Sequence, residues 1–136
     1  QKFLNSRFAP LDAGMGLSGL ASTLVPGMMA QDASEQVVLA AERLMARVPE
    51  ASYRAALSAI VSFRRVDNLA HIRVPVLCIA GEHDQNAAPA VMEKMAARIP
   101  GARYVCLDNV GHLANMERPD AFNAVVLEFL KHHFSG

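Results

Sequence analysis

The stretch RVPVLCIAGEHDQNAAP, residues 73–89, decides the fold. It runs apolar from Val74 to Ile79, with one proline at Pro75, then turns at Gly81 into Glu82, His83 and Asp84. A short continuous apolar run with β-branched residues is the pattern of a strand buried on both faces of a sheet. Such a strand, PVLCIA, ends here in a cluster of ionisable groups.

Reading onward, PAVMEKMAARIPG (89–101) predicts a helix with Pro89 in its first turn and Pro100-Gly101 closing it. Val91, Met92, Met95 and Ile99 are expected to face inward. ARYVCLD (102–108) predicts a second strand, NVGHLANME (109–117) a loop, and RPDAFNAVVLEFLKHHF (118–134) a final helix. The stripe of that last helix is Phe122, Val125, Val126, Phe129 and Leu130. Strand, helix and strand in this order make parallel strands with a right-handed crossover. Both strands then end on one edge of the sheet, about 4.8 Å apart. Asp84 follows the first strand and His112 lies in the loop after the second, so a carboxylate and an imidazole reach the same edge within hydrogen-bonding range. A carboxylate on one imidazole nitrogen fixes the tautomer and frees the other nitrogen as a general base.

Spacing alone leaves each residue two readings. Asp84 is either the partner of His112 or a cap for the turn after Gly81, where aspartate is common. His112 is either a base or a loop histidine whose hydrogen bonds are satisfied. Asp108 is a rival carboxylate, four residues before His112, and reads as a cap for its own loop. His83, with Asp84, His112 and the pair His132-His133, fits no standard zinc spacing. No metal or cofactor is expected. His132 and His133 fall at the end of the last helix, where cationic histidine is favourable. Glu117, before Pro119, reads as structural.

Upstream, the grammar is helical. Residues 1–16 read as irregular, broken by Pro10, Gly14 and Gly16. Residues 17–31 are weakly helical and interrupted at Pro26-Gly27. DASEQVVLAAERLMARVPE (32–50) is the first strong helix, with capping-box spacing at Asp32 and Glu35 and a stripe of Val37, Val38, Ala41, Leu44, Met45 and Val48. PEASYRAALSAIVSF (49–63) follows, with Tyr53, Leu57, Ile60 and Val61 inward, then VDNLAHI (66–72) with Asp67 as N-cap. Met28, Met29 and Met45 read as packing residues, with an adaptable apolar pocket as the sharper alternative. The expected division is a helical segment over 1–70 and an α/β segment over 71–136.

Composition bounds the function classes. The 136 residues are one domain's worth, 52% hydrophobic and 19% charged, as in a globular chain. Thirteen basic residues balance thirteen acidic ones, which removes the electrostatic footprint of a nucleic-acid binder. No apolar run approaches the ~18 residues of a membrane span. Cys78 and Cys106 both fall in apolar strand-like runs and are expected as buried free thiols of a cytoplasmic protein. The chain begins with Gln1, and QKFLNSRFAP carries no helix or strand start signal, so further chain upstream is expected.

VPVLCIAGEHDQNAAP followed by IPGARYVCLDNVGHLANMERPDAFNAVVLEFL resembles the C-terminal part of the α/β-hydrolase superfamily. Over residues 70–134 the combination of strand, G-x-x-D, helix, strand, G-H and E-x-P carries the resemblance; over 1–69 it is loose. It implies an α/β fold, namely two parallel strands with flanking helices preceded by a helical cap. It implies Asp84 as triad acid and His112 as triad base. It also implies a small, partly apolar substrate, an ester, a lactone or another activated carbonyl, as in 3-oxoadipate enol-lactonase-like and small esterase members, with cleavage of a carbon–carbon bond in an aromatic breakdown product left open. The family's nucleophile sits in a G-x-S-x-G elbow between a strand and a helix. Here the nearest string is GLSGL, in which Gly16, Ser18 and Gly19 lack the second glycine at its place. The nucleophile and oxyanion-hole loop are therefore expected upstream. A non-enzymatic alternative is a fragment that binds a missing N-terminal half or a second copy of itself. A third reading, a dehalogenase-like relative with an aspartate nucleophile, needs the same upstream elbow.

Overall fold

A computed structural model describes residues 2–134. The chain forms two compact units, one of Gln1–Gly27 with Glu35–Arg64 and the other of Met28–Ser34 with Arg65–Gly136. Gln1, Ser135 and Gly136, at the ends of the two expected segments, lie outside the described residues.

The first unit is helical: α1 (Lys2–Asp12), α2 (Gly16–Leu24), α3 (Glu35–Ala46) and α4 (Glu50–Ser62). The irregular reading of residues 1–16 is corrected by α1. Pro10 lies in its last turn, and the true stop is Gly14, at φ 84°. There the Gly14 N–H donates to Leu11 O and the Met15 N–H to Pro10 O, the paired bonds of a Schellman motif. Leu11, Leu17 and Leu20 are buried together, with Leu24, Met45 and Tyr53 packed on them. Helix α3 starts at Glu35, so Asp32 does not cap it; Asp32 instead accepts a 2.6 Å bond from Arg118. Of its expected stripe Ala41 is buried, whereas Leu44 and Val48 are exposed, as is Ile60 of α4. Arg54 ties α4 to α1 through a 2.7 Å ion pair with Asp12.

In the second unit, a 3-10 turn at Val66–His71 has Arg65, not Asp67, at its N-cap. Strand β1 (Leu77–Gly81) leads through α5 (Pro89–Ala96) to β2 (Arg103–Leu107), and the two strands pair in parallel from Leu77↔Arg103 to Gly81↔Leu107. The strand starts at Leu77, three residues after its apolar run begins at Val74, past Pro75, which has no N–H to give the ladder. Val74 is exposed, and β1 alternates, with Cys78 and Ala80 buried and Leu77 and Ile79 half-buried, so it is not enclosed on both faces within this chain. Cys78, Ala96 and Ile99 form the core beneath α5, with Met92, Met95 and Tyr104 against them. Val91 points outward instead. Both thiols are free; Cys78 is buried as expected, but Cys106 is exposed. The loop after β2 contains a short helix, α6 (Ala114–Glu117), before α7 (Pro119–Phe134). Phe129 of α7 is buried and Leu130 exposed. Among the described residues no helix is long and apolar enough to cross a membrane.

Candidate active site

The parallel register brings the two strand ends level, and the loops leaving them are laced together. Past the last ladder pair, the Glu82 N–H donates to Leu107 O at 2.9 Å and the His83 N–H to Val110 O at 2.8 Å. The Glu82 carboxylate accepts the Asn109 N–H at 2.9 Å, holding a turn in which Asn109 takes φ 53°. Asparagine tolerates that left-handed conformation better than most residues. Gly81 permits the close approach: a Cβ there would strike the carbonyl oxygens of Gly111 and Val110.

Asp84 and His112 meet at this edge. His112 Nδ1 lies 2.8 Å from Asp84 Oδ2, and the Asp84 side chain is only 6% exposed against 36% for His112. The other carboxylate oxygen, Oδ1, accepts the Asn86 N–H at 2.8 Å and the Ala87 N–H at 3.0 Å. Asp84 is thus both a turn cap and the histidine's partner, one oxygen for each. Burial by itself pushes this carboxyl up. The bonds from Ala87, His112 and Asn86 outweigh burial and hold it below the ordinary carboxylate range. With an ionised Asp84 on Nδ1, the proton of a neutral imidazole sits on Nδ1, and Nε2 is left as acceptor.

The rivals fall elsewhere. Asp108 is exposed at the turn and is not the carboxylate on His112. His83 is exposed, with Nε2 3.8 Å from Glu82. His132 and His133 are exposed at the end of α7, their rings edge to face with centroids 4.7 Å apart, and His133 is tilted against Phe129 at 4.6 Å. Ser18 is an exposed residue inside α2, with no strand leading into it.

Glu117 was legible only as a structural residue. Its carboxylate is buried and accepts three backbone N–H groups: Ala30 at 2.8 Å, Gly111 at 3.0 Å and Leu113 at 3.1 Å. The last two flank His112. The Met28–Ser34 strap crosses the same loop, and the His112 N–H donates to Met28 O at 2.6 Å. Gly111 makes room for the strap, since a Cβ there would lie 2.5 Å from Met28 O. The E-x-P spacing pointed to Glu117, but its tie to Ala30 spans 87 residues and leaves no local signal.

A parallel α/β pair with a histidine–aspartate couple at its carboxyl edge is the arrangement of a hydrolase-type α/β fold. Residues 2–125 match the Alpha/beta hydrolase family, and the chain belongs to that family. It is similar to the enol-lactonase from Burkholderia xenovorans LB400, at 32% identity and a TM-score of 0.78, over 85% of this chain and 45% of that one. A thermophilic esterase from Thermogutta terrifontis matches at 25% identity and a TM-score of 0.78, over 84% of this chain and 44% of the esterase. By sequence, the carboxylesterase YbfK of Bacillus subtilis (strain 168) is 36% identical over 63 residues, 46% of this chain and 21% of that protein. The chain spans less than half the length of each of these relatives.

Proposed function

We propose that this chain supplies the acid and base of a nucleophile–His–Asp triad in a hydrolase that cleaves an ester, lactone or other activated carbonyl. The observation that carries the reading is the 2.8 Å contact between His112 Nδ1 and a buried Asp84 that is also fixed by two backbone N–H groups. The esterase and enol-lactonase among its relatives support the substrate class.

In this mechanism the nucleophile is a serine from a segment upstream of residue 1, since no G-x-S-x-G string occurs here. His112 Nε2 takes the serine proton as the oxygen attacks the carbonyl carbon. The C=O π pair moves to oxygen, and backbone donors outside this chain hold the oxyanion. Collapse breaks the bond to the leaving group, which receives the proton from Nε2. Water, deprotonated by the same nitrogen, then attacks the acyl carbon, and collapse breaks the bond to the serine oxygen, which takes the proton back from Nε2 as the acid leaves. Asp84 holds the tautomer and stabilises the transient imidazolium. The first unit acts as a cap that selects a small, partly apolar substrate, and two free thiols fit a reducing, cytoplasmic setting.

The test is His112→Ala in the protein as encoded, assayed with p-nitrophenyl acetate. Turnover should fall by about 10³-fold or more, with little change in Tm because the side chain is one-third exposed. Wild-type turnover in that variant would sink the assignment.

A further inference from the structure

We propose that Glu117 is a positioning residue that sets His112 against Asp84. Its kinetic consequence rests on the triad reading above; its geometric content does not. The backbone on both sides of the imidazole, at Gly111 and Leu113, donates to the two oxygens of one buried carboxylate. A third N–H, from Ala30, fixes the oxygen that also holds Gly111. His112 itself contributes its N–H to Met28 of the same strap. The backbone N–H groups of residues 111, 112 and 113 therefore all converge on Glu117 or on the strap that Glu117 holds. A carboxylate suits this place because three donors require acceptors on both oxygens, which an amide cannot provide. The Asp84–His112 contact depends on ring orientation. Asp84 is anchored from its own turn, and Glu117 anchors the other partner.

Glu117→Gln keeps the shape but puts an NH₂ group where an acceptor stood. If its oxygen keeps Ala30 and Gly111, the Leu113 N–H faces a donor, and the residue after His112 is released. The experiment is performed on the protein as encoded. The His112 Nδ1 proton resonance is located by its loss in His112→Gln, and p-nitrophenyl acetate kinetics are measured in parallel. Glu82→Gln is the control, because Glu82 accepts an N–H of the same loop, at Asn109, but is exposed.

In E117Q the His112 resonance should shift or broaden. Its kcat should fall roughly ten- to a hundred-fold with KM within about twofold of wild type. E82Q should leave both readouts in place. An unchanged His112 resonance in E117Q overturns the proposal, as does an equal disturbance in E82Q, which would mark general loosening of the loop. Should E117Q fail to fold, Glu117→Asp keeps both oxygens but shortens the reach. The same resonance must then move, and an unmoved one again overturns the proposal. If the wild-type protein does not turn over the ester, the hydrolase reading fails, and the resonance alone decides the positioning role.

Discussion

Asp84 divides its two oxygens between a turn and an imidazole, and an amide separates the two duties. In Asp84→Asn the side-chain oxygen still accepts from Asn86 and Ala87, so the turn survives. The NH₂ group then faces His112 Nδ1 and forces that nitrogen to be the acceptor, moving the ring proton to Nε2. A ring protonated on Nε2 cannot take a proton there. The expected result is a fall in kcat of about 10²–10⁴-fold, read in the same ester assay. The same residue sets a pH dependence. Its folded-state carboxyl lies below the ordinary 3.8, so the folded state favours the ionised form. That stabilisation is fully present above the unfolded value and is lost as pH falls through the lower folded value. Urea midpoints measured from about pH 6 down to about pH 2 should therefore fall less steeply below about pH 4 in D84N than in wild type. Parallel acid limbs would contradict this.

At the scale of elements, two glycines decide how closely three segments of backbone pass. The atoms facing a Cβ at Gly81 belong to the main chain of Val110 and Gly111, which cannot swing aside as a side chain can. Gly81→Ala should destabilise the protein by about 1–3 kcal/mol in urea denaturation. Gly27→Ala, whose Cβ meets nothing within 4 Å, should change stability by less than about 0.5 kcal/mol. Equal effects at the two positions would refute this account. The strand–helix–strand order and the meeting of Asp84 with His112 were legible because each rests on a local pattern plus the parallel rule. Strand limits and side-chain burial were less so. Leu44, Ile60, Val91 and Leu130 all fit a helical stripe yet stand exposed, because a stripe states which residues share a face and not what covers it. Helix α1 was missed because Pro10 reads as a breaker, whereas it falls in the last turn, just before the Gly14 stop, with the rest of the helix already formed ahead of it. The ties of Glu117 to Ala30 and of Asp32 to Arg118 span 87 and 86 residues, beyond any local pattern, while Gly111 and Leu113 lie within six residues of Glu117.

Over the whole chain, each unit shows apolar side chains to solvent. Ile60 and Phe63 in the first are 62% and 68% exposed, and Val74 and Phe134 in the second are each 65% exposed. Exposed apolar surface of this kind favours association. The 136-residue chain produced alone should elute larger than its 14.7 kDa mass, and increasingly so with concentration. A monomer peak at all concentrations would count against a binding surface here. The strap at Met28–Ser34 is fastened by a carboxylate that the ribosome adds 87 residues after Ala30. At about 5–20 residues per second, that is a wait of roughly 4–17 seconds. Helices α1 and α2 are already made when that interval begins and α3 and α4 are synthesised within it, but the strap between α2 and α3 has no Glu117 to hold it until translation has passed β2. A ribosome paused before the codon for Glu117 would therefore carry a nascent chain whose early helices are made while the strap lying between them is still untied.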